Sequence, residues 1–135
     1  MSTLVVATLK SNSSSPPAFQ NTSGTEIGTL CRAWVNFNGT GTVAIRAQFN
    51  VSSITDNGVG DYTVNFTNAM ADANYAPVTS SNPNQNGSSV TMAALYNYND
   101  NTYYPTASAV RIKGQATGGG GANADSSFIT VAIFR

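Results

Sequence analysis

From Thr29 onward apolar and polar residues alternate with the period of a strand whose two faces meet different surroundings. In TLCRAWVNF, one row is Cys31, Ala33, Val35 and Phe37, and the other is Leu30, Arg32, Trp34 and Asn36. NGTGT follows, and Asn38-Gly39 suits two residues at positive φ, so a hairpin is predicted there. TVAIRAQFNV then sets Val43, Ile45, Ala47, Phe49 and Val51 against Ala44, Arg46, Gln48 and Asn50. ITDNGVGD turns the chain again, and DYTVNFT returns with Tyr62, Val64 and Phe66 facing together. These segments predict a three-strand meander with one apolar face. Trp34, the sole tryptophan, is expected to be buried in a central strand, where truncation to alanine would cost about 3–5 kcal/mol.

Further strands are predicted at YAPVTSS, demoted toward an edge by Pro77, at SSVTMAALYNY, at ASAVRIKG and at SFITVAIFR. The last is apolar on both faces, which predicts a place in the middle of a sheet or at a subunit interface. Polar or glycine-rich loops separate them: NPNQNG, NDNTYYPT and QATGGGGANADS. No segment has helical periodicity. Seven or eight short strands with frequent turns predict an all-β fold, an antiparallel, jelly-roll-like β-sandwich, with an open barrel as the alternative.

The amino-terminal stretch differs. TLVVATLK is apolar on both faces of a predicted strand, with Leu4 and Val6 on one and Val5, Ala7 and Leu9 on the other. SNSSSPPAFQNTSG then carries no hydrophobic pattern and reads as a connector. Residues 1–24 are therefore expected to form an attachment arm and linker, and residues 25–135 the sandwich. The side chains of Leu4, Val5, Val6 and Leu9 would hide against the same domain or another chain.

Charged residues are only 9% of the 135, against roughly 25% in an ordinary domain. Asparagine (16), serine (15), threonine (16) and glycine (12) supply much of the remainder, giving a hydrated surface of amides and hydroxyls. The net charge is zero, and the single scattered charges leave no basic stripe for phosphates, so nucleic acid is not an expected partner. No apolar run reaches the ~18 residues of a membrane span, and the start of the chain does not read as a signal peptide. Six Asn-x-Ser/Thr triplets, at Asn12, Asn21, Asn38, Asn50, Asn65 and Asn86, are then chance products of composition.

There is no histidine, which removes Ser-His and Cys-His nucleophile systems and imidazole metal ligands. Cys31 is the lone cysteine, so an internal disulfide is excluded and burial as a small hydrophobe is expected. Asp56 and Asp61 flank DNGVGD. A calcium loop is one reading, but the spacing misses the EF-hand pattern, and a turn whose aspartates cap backbone amides is favoured. No cofactor is expected. The remaining aspartates fall in predicted turns, so a glycosidase carboxylate pair is disfavoured and no catalytic residue is assigned. One stretch has binding character: in ALYNYNDNTYYPT, the residues Tyr96, Tyr98, Asn99, Asp100, Tyr103 and Tyr104 combine rings with short polar groups. Those materials suit a host-surface glycan or receptor, and packing under the loop is the alternative.

The segment CRAWVNFNGTGTVAIRAQFNVSSITDNGVGDYTVNFTNAMADANYA, with PPAFQNTSGTEIGTLCRAWVNF overlapping it upstream, resembles small virion structural and tail-fibre proteins of tailed phages, notably of cyanobacteria and marine bacteria. The Ala-Trp-Val-Asn-Phe and Asp-Asn-Gly-x-Gly-Asp-Tyr blocks carry the likeness, over residues 15–80. It implies a β-rich, trimeric virion appendage without a defined catalytic set, exposing a divergent tip over residues 81–135. The implied partners are further copies of the chain and capsid or tail proteins. The implied location is the virion surface after synthesis in the host cytoplasm, on a tail fibre, a head fibre or a capsid decoration. A free lectin module is the competing class; it would be a monomer.

Overall fold

The computed structural model describes residues 5–11, 17–82, 89–94, 105–117 and 121–135. The chain divides into two compact units, Met1–Leu30 and Cys31–Arg135. In the first, a small antiparallel hairpin joins β1 (Phe19–Gln20) to β2 (Glu26–Gly28). The Asn21 side-chain carbonyl accepts from the amides of Ser23 at 3.0 Å and Thr25 at 2.9 Å, and so closes the turn. Residues 5–10 form no strand, in contrast to the sequence expectation, and Val5 is 89% exposed. A segment apolar on both faces needs a ladder partner and two covers to become a strand, and a single chain gives it none.

The second unit holds, among the described residues, β3 (Cys31–Asn38), β4 (Ala44–Phe49), β5 (Val51–Gly58), β6 (Asp61–Phe66), β7 (Ala76–Ser81), β8 (Val90–Ala94), β9 (Ala109–Ala116) and β10 (Ile129–Phe134). They make two four-stranded sheets, in the orders β4-β3-β10-β7 and β5-β6-β9-β8. All pairings are antiparallel. The fold is an all-β sandwich, as the alternation predicts. Strand β10 lies between β3 and β7, with Ile129, Val131 and Ile133 buried on its inner face and Thr130, Ala132 and Phe134 on its outer one, and Pro77 sits on the edge strand β7. The glycine-rich loop connects β9 of one sheet to β10 of the other.

The inward rows meet in one core. Ala33, Val35 and Phe37 of β3 and Ile129, Val131 and Ile133 of β10 face Tyr62 and Val64 of β6 and Val110 and Ile112 of β9. The Phe37 and Tyr62 rings pack edge to face with centroids 5.3 Å apart, and Phe66 and Tyr75 do so at 5.8 Å. Among the described residues, no buried side-chain nitrogen or oxygen lacks a hydrogen-bond partner.

Two irregularities invisible to a period-2 pattern change the predicted meander. Asn50 adopts φ 54°, and at that corner the chain leaves one sheet for the other. The segment 42–51 is therefore two strands in different sheets. Asn50 is well suited to the corner, because asparagine tolerates the left-handed region. Its Nδ2 donates to the carbonyls of Arg32 and Asn68, both at 3.1 Å, and its Oδ1 accepts from the Asn68 amide at 2.7 Å. The second irregularity is a bulge: Ala47 pairs with Asn36 but Ile45 pairs with Phe37, leaving Arg46 as the extra residue. The row from Val43 to Val51 thus does not share one face. At the opposite edge, Thr79 Oγ1 and Ser81 Oγ of β7 donate to the Met92 and Val90 carbonyls of β8, each at 2.6 Å. Those bonds occupy acceptors that an open edge would leave unpaired.

Candidate functional site

Tyr96, Tyr98, Asn99, Asp100, Tyr103 and Tyr104, and also Leu4 of the arm, lie outside the described residues. Val5, Val6 and Leu9 are exposed. At the β5–β6 turn, Asp56 Oδ1 accepts from the Gly58 amide at 2.9 Å, the turn-capping role. Asp61 is bound in a fork by Arg111 of β9, Nε to Oδ1 at 2.7 Å and Nη2 to Oδ2 at 2.8 Å. Both of its oxygens are thereby engaged by a cation. Among the described residues, no group of three or more His, Cys, Asp or Glu side chains is placed to hold a metal ion.

The Arg111 hydrogen bonds hold the Asp61 carboxyl below its ordinary pKa, against the opposing effect of burial. A carboxyl depressed in the folded state contributes stability above its unfolded pKa of about 4 and loses it as pH falls through the folded value. Arg111→Gln should therefore cost about 1 kcal/mol at neutral pH, since the pair is partly exposed. It should also flatten the decline in stability on acidification below about pH 4. Melts of the variant across that range measure this, and an unaltered acid limb would show the pair to be energetically silent.

Trp34 is not in the core. It is 40% exposed, while Ala33, Val35 and Phe37 are buried. Strand β3 is central, but only one of its faces meets the opposite sheet, and Trp34 stands on the other with Asn36. Trp34→Ala should consequently cost about 0.5–1 kcal/mol, the scale of a cross-strand contact, in place of the core value. A thermal melt checks this, and a loss of several kcal/mol would return the ring to the interior. Cys31 is also only partly buried, contrary to expectation, with its thiol 3.3 Å from the Ala33 carbonyl. It begins β3 beside a bulge, since Ile133 pairs with Ala33 and Phe134 with Cys31, leaving Arg32 as the extra residue.

The outer face of the β4-β3-β10-β7 sheet carries an ordered row. Phe49 pairs with Trp34, Trp34 with Ala132, and Ala132 with Val78. Phe49 and Val78 are 55% and 56% exposed. The next row is Ala47, Asn36, Thr130 and Ser80, with the last two hydroxyls 2.9 Å apart. Beside it, Arg46 donates from Nη2 to the Ser127 carbonyl at 2.6 Å and from Nη1 to Asn36 Oδ1 at 3.4 Å. Its guanidinium stands 5.4 Å from the centre of the exposed Phe128 ring. The sequence reading missed this surface, although one signal was present: the row shared by Arg32, Trp34 and Asn36 is polar, and its opposite is wholly apolar.

The geometry defines an antiparallel β-sandwich with an exposed aromatic face and a carboxylate-poor surface. No family model matches the chain, and no curated protein matches it. Among solved structures it is similar to the phiAB6 tailspike, determined in complex with three-repeated oligosaccharides of Acinetobacter baumannii surface polysaccharide, with a TM-score of 0.54 and 15% sequence identity. The match covers 97% of this chain and 30% of the tailspike chain, so the chain spans under a third of that protein's length. At this identity the likeness is one of fold, to part of a phage tail protein.

Proposed function

We propose that the protein is a non-enzymatic structural component of a phage virion. It is a short surface appendage, a tail fibre or a head fibre or decoration, assembled as a homotrimer in the host cytoplasm and mounted on capsid or tail by its amino-terminal arm. The observation that carries this reading is the fold shared with part of a phage tailspike over nearly the whole chain. The composition supports it, because an amide- and hydroxyl-rich surface with few charges stays hydrated outside a cell. A non-enzymatic role is supported by the commitments of three of the four described aspartates, the fourth, Asp56, capping the Gly58 amide. Asp61 is held by Arg111, Asp72 by Arg135, and Asp125 accepts from the Gly60 amide.

A second reading, a carbohydrate-binding receptor-recognition module, is favoured by the exposed Trp34 and Phe49 rings. The tailspike of similar fold was likewise solved with oligosaccharides. Recognition would also use the tyrosine-rich stretch from Tyr96 to Tyr104.

The arm provides the test. The core cluster lies entirely within the unit Cys31–Arg135, so deletion of residues 1–17 should leave a soluble β-rich oligomer with nearly the same melting temperature. Val5, Val6 and Leu9 would each contribute roughly 1.5–3 kcal/mol on full burial against a virion partner. The truncated protein should therefore fail to enter particles when it replaces the full chain during phage growth. Incorporation at normal levels would overturn the anchoring role. An unfolded or monomeric product would make the arm part of the domain or of its trimer.

A further inference from the structure

We propose that the outer face of the β4-β3-β10-β7 sheet is a binding surface for an acidic polysaccharide, one bearing carboxylates along its chain. The inference deepens the recognition reading above and rests on it only for biological purpose, since the surface chemistry stands on this chain's own residues.

Charge selects the occupant. The four strands carry Arg32 and Arg46 and not a single aspartate or glutamate. The carboxylates of the sandwich strands, Asp56 and Asp61, belong to the other sheet. Asp72 is held by Arg135, just past the end of β10, and that pair is neutral as a unit. Arg46, bonded to Asn36 of the outer row, therefore makes the face locally cationic on a chain of zero net charge. The face is complementary to an anion, whereas a two-fold pairing of the face with itself would set guanidinium groups against each other.

Both arginines occupy the same kind of position. Arg32 is the extra residue of the β3–β10 bulge and Arg46 that of the β3–β4 bulge. A bulge takes a residue out of the ladder and can re-aim its side chain. Here they bracket Trp34 along the sheet. Arg46 is already oriented by Asn36, Ser127 and Phe128, and these contacts use two N–H groups of the fork. The remainder of the fork has no partner among the described residues. A planar guanidinium fixed in this way matches a carboxylate better than a mobile lysine would.

The rest of the face fits a sugar chain. The Phe49–Trp34–Ala132–Val78 row spans about 14 Å at the ~4.8 Å spacing of neighbouring strands, room for a short oligosaccharide laid flat. Aromatic rings offer apolar platforms for the C–H faces of pyranose rings. The neighbouring row of Asn36, Thr130 and Ser80 supplies amide and hydroxyl partners for ring hydroxyls. Each of these groups sits on a hydrogen-bonded strand, so the surface is ordered before a ligand arrives and little is lost in ordering it.

Affinity electrophoresis of the full-length protein through gels containing polygalacturonate, alginate, polysialic acid or neutral dextran tests the proposal, with light scattering of each variant alongside. The wild type is expected to be retarded by at least one acidic polymer and not by dextran. Arg46→Gln and Trp34→Ala should each weaken that retardation by about tenfold or more in apparent affinity. Trp34→Phe should retain most of it, and all three variants should stay folded, with Trp34→Ala melting a few degrees below wild type. Three results would overturn the proposal: no retardation by any acidic polymer, equal retardation by dextran, or binding unchanged in both Arg46→Gln and Trp34→Ala. A change of oligomeric state in Trp34→Ala would assign the face to a second copy, and would overturn it too. The assay uses isolated protein, so its failure leaves the virion reading standing. Conversely, absence of the protein from particles would leave a positive binding result intact.

Discussion

Tyr62→Ala is expected to destabilise the sandwich by about 4–5 kcal/mol, enough to bring a domain of ordinary stability close to unfolding at room temperature. The ring is fully buried and meets Phe37 edge to face across the two sheets. Its hydroxyl lies 2.7 Å from the Gly39 carbonyl and 2.6 Å from Asp125 Oδ1, and its single proton is shared between these two acceptors. Burial, followed by the hydrogen bond to Asp125 and then its charge, pushes the phenol far above the ordinary tyrosine pKa, so it stays protonated and able to donate. Asp125 also accepts from the Gly60 amide at 2.7 Å, so one side chain ties the segment before β10 to the β5–β6 turn. Alanine removes the ring and takes its donor from the Gly39 carbonyl, while Asp125 keeps the Gly60 amide. Tyr62→Phe keeps the ring and should cost about 1–3 kcal/mol, the penalty of the lost hydroxyl donor alone. Denaturant titrations of the pair separate the contributions. Equal losses in the two variants would mean that the hydroxyl network, and not the ring, holds the sheets together.

Gly60→Ala should cost about 3 kcal/mol through a different mechanism. The residue has φ +67°, and an added Cβ would come within 2.6 Å of the Gly114 carbonyl oxygen and 2.8 Å of the Ala124 backbone. Backbone atoms cannot rotate aside, and these are fixed by bonds from Gly114 N to Gly60 O at 2.7 Å and from Ala124 N to Gly114 O at 3.1 Å. The left-handed conformation accounts for roughly 1 kcal/mol and the overpacking for the rest. Gly41 is the internal control, with φ +62° and no atom within 4 Å of the added Cβ. Its alanine variant should lose only about 1 kcal/mol. In a domain of this size the two melting temperatures should differ by several degrees. Equal effects at both glycines would show that the Gly60–Gly114–Ala124 approach is loose.

Much of this architecture was legible in the chain. Alternation placed Ala33, Val35 and Phe37 in the core, marked β6, β8 and β9, put Pro77 on an edge and gave the carboxy-terminal strand a central position. What it could not carry was the sheet to which each strand belongs. The strands β4 and β5 look continuous because their pattern is continuous, and only the corner at Asn50 separates them. Likewise the Arg46 bulge shifts phase by one residue, which reverses faces without altering composition. For Trp34 the intrinsic preference of tryptophan for burial outweighed the polar company of Arg32 and Asn36 along the same row. The neighbours were the better guide, because a strand in a two-layer sandwich has one face with nothing above it. The arm failed as a strand for the complementary reason, since strands are stabilised by partners that a lone segment cannot supply.

Gold-labelled antibody against the protein, imaged on purified infectious phage particles, decides whether the protein is a virion component. Label is expected at discrete, repeated positions on the virion surface, at the tail or on the head. Particles free of label, with the protein present in the infected-cell lysate from which they were purified, would contradict it.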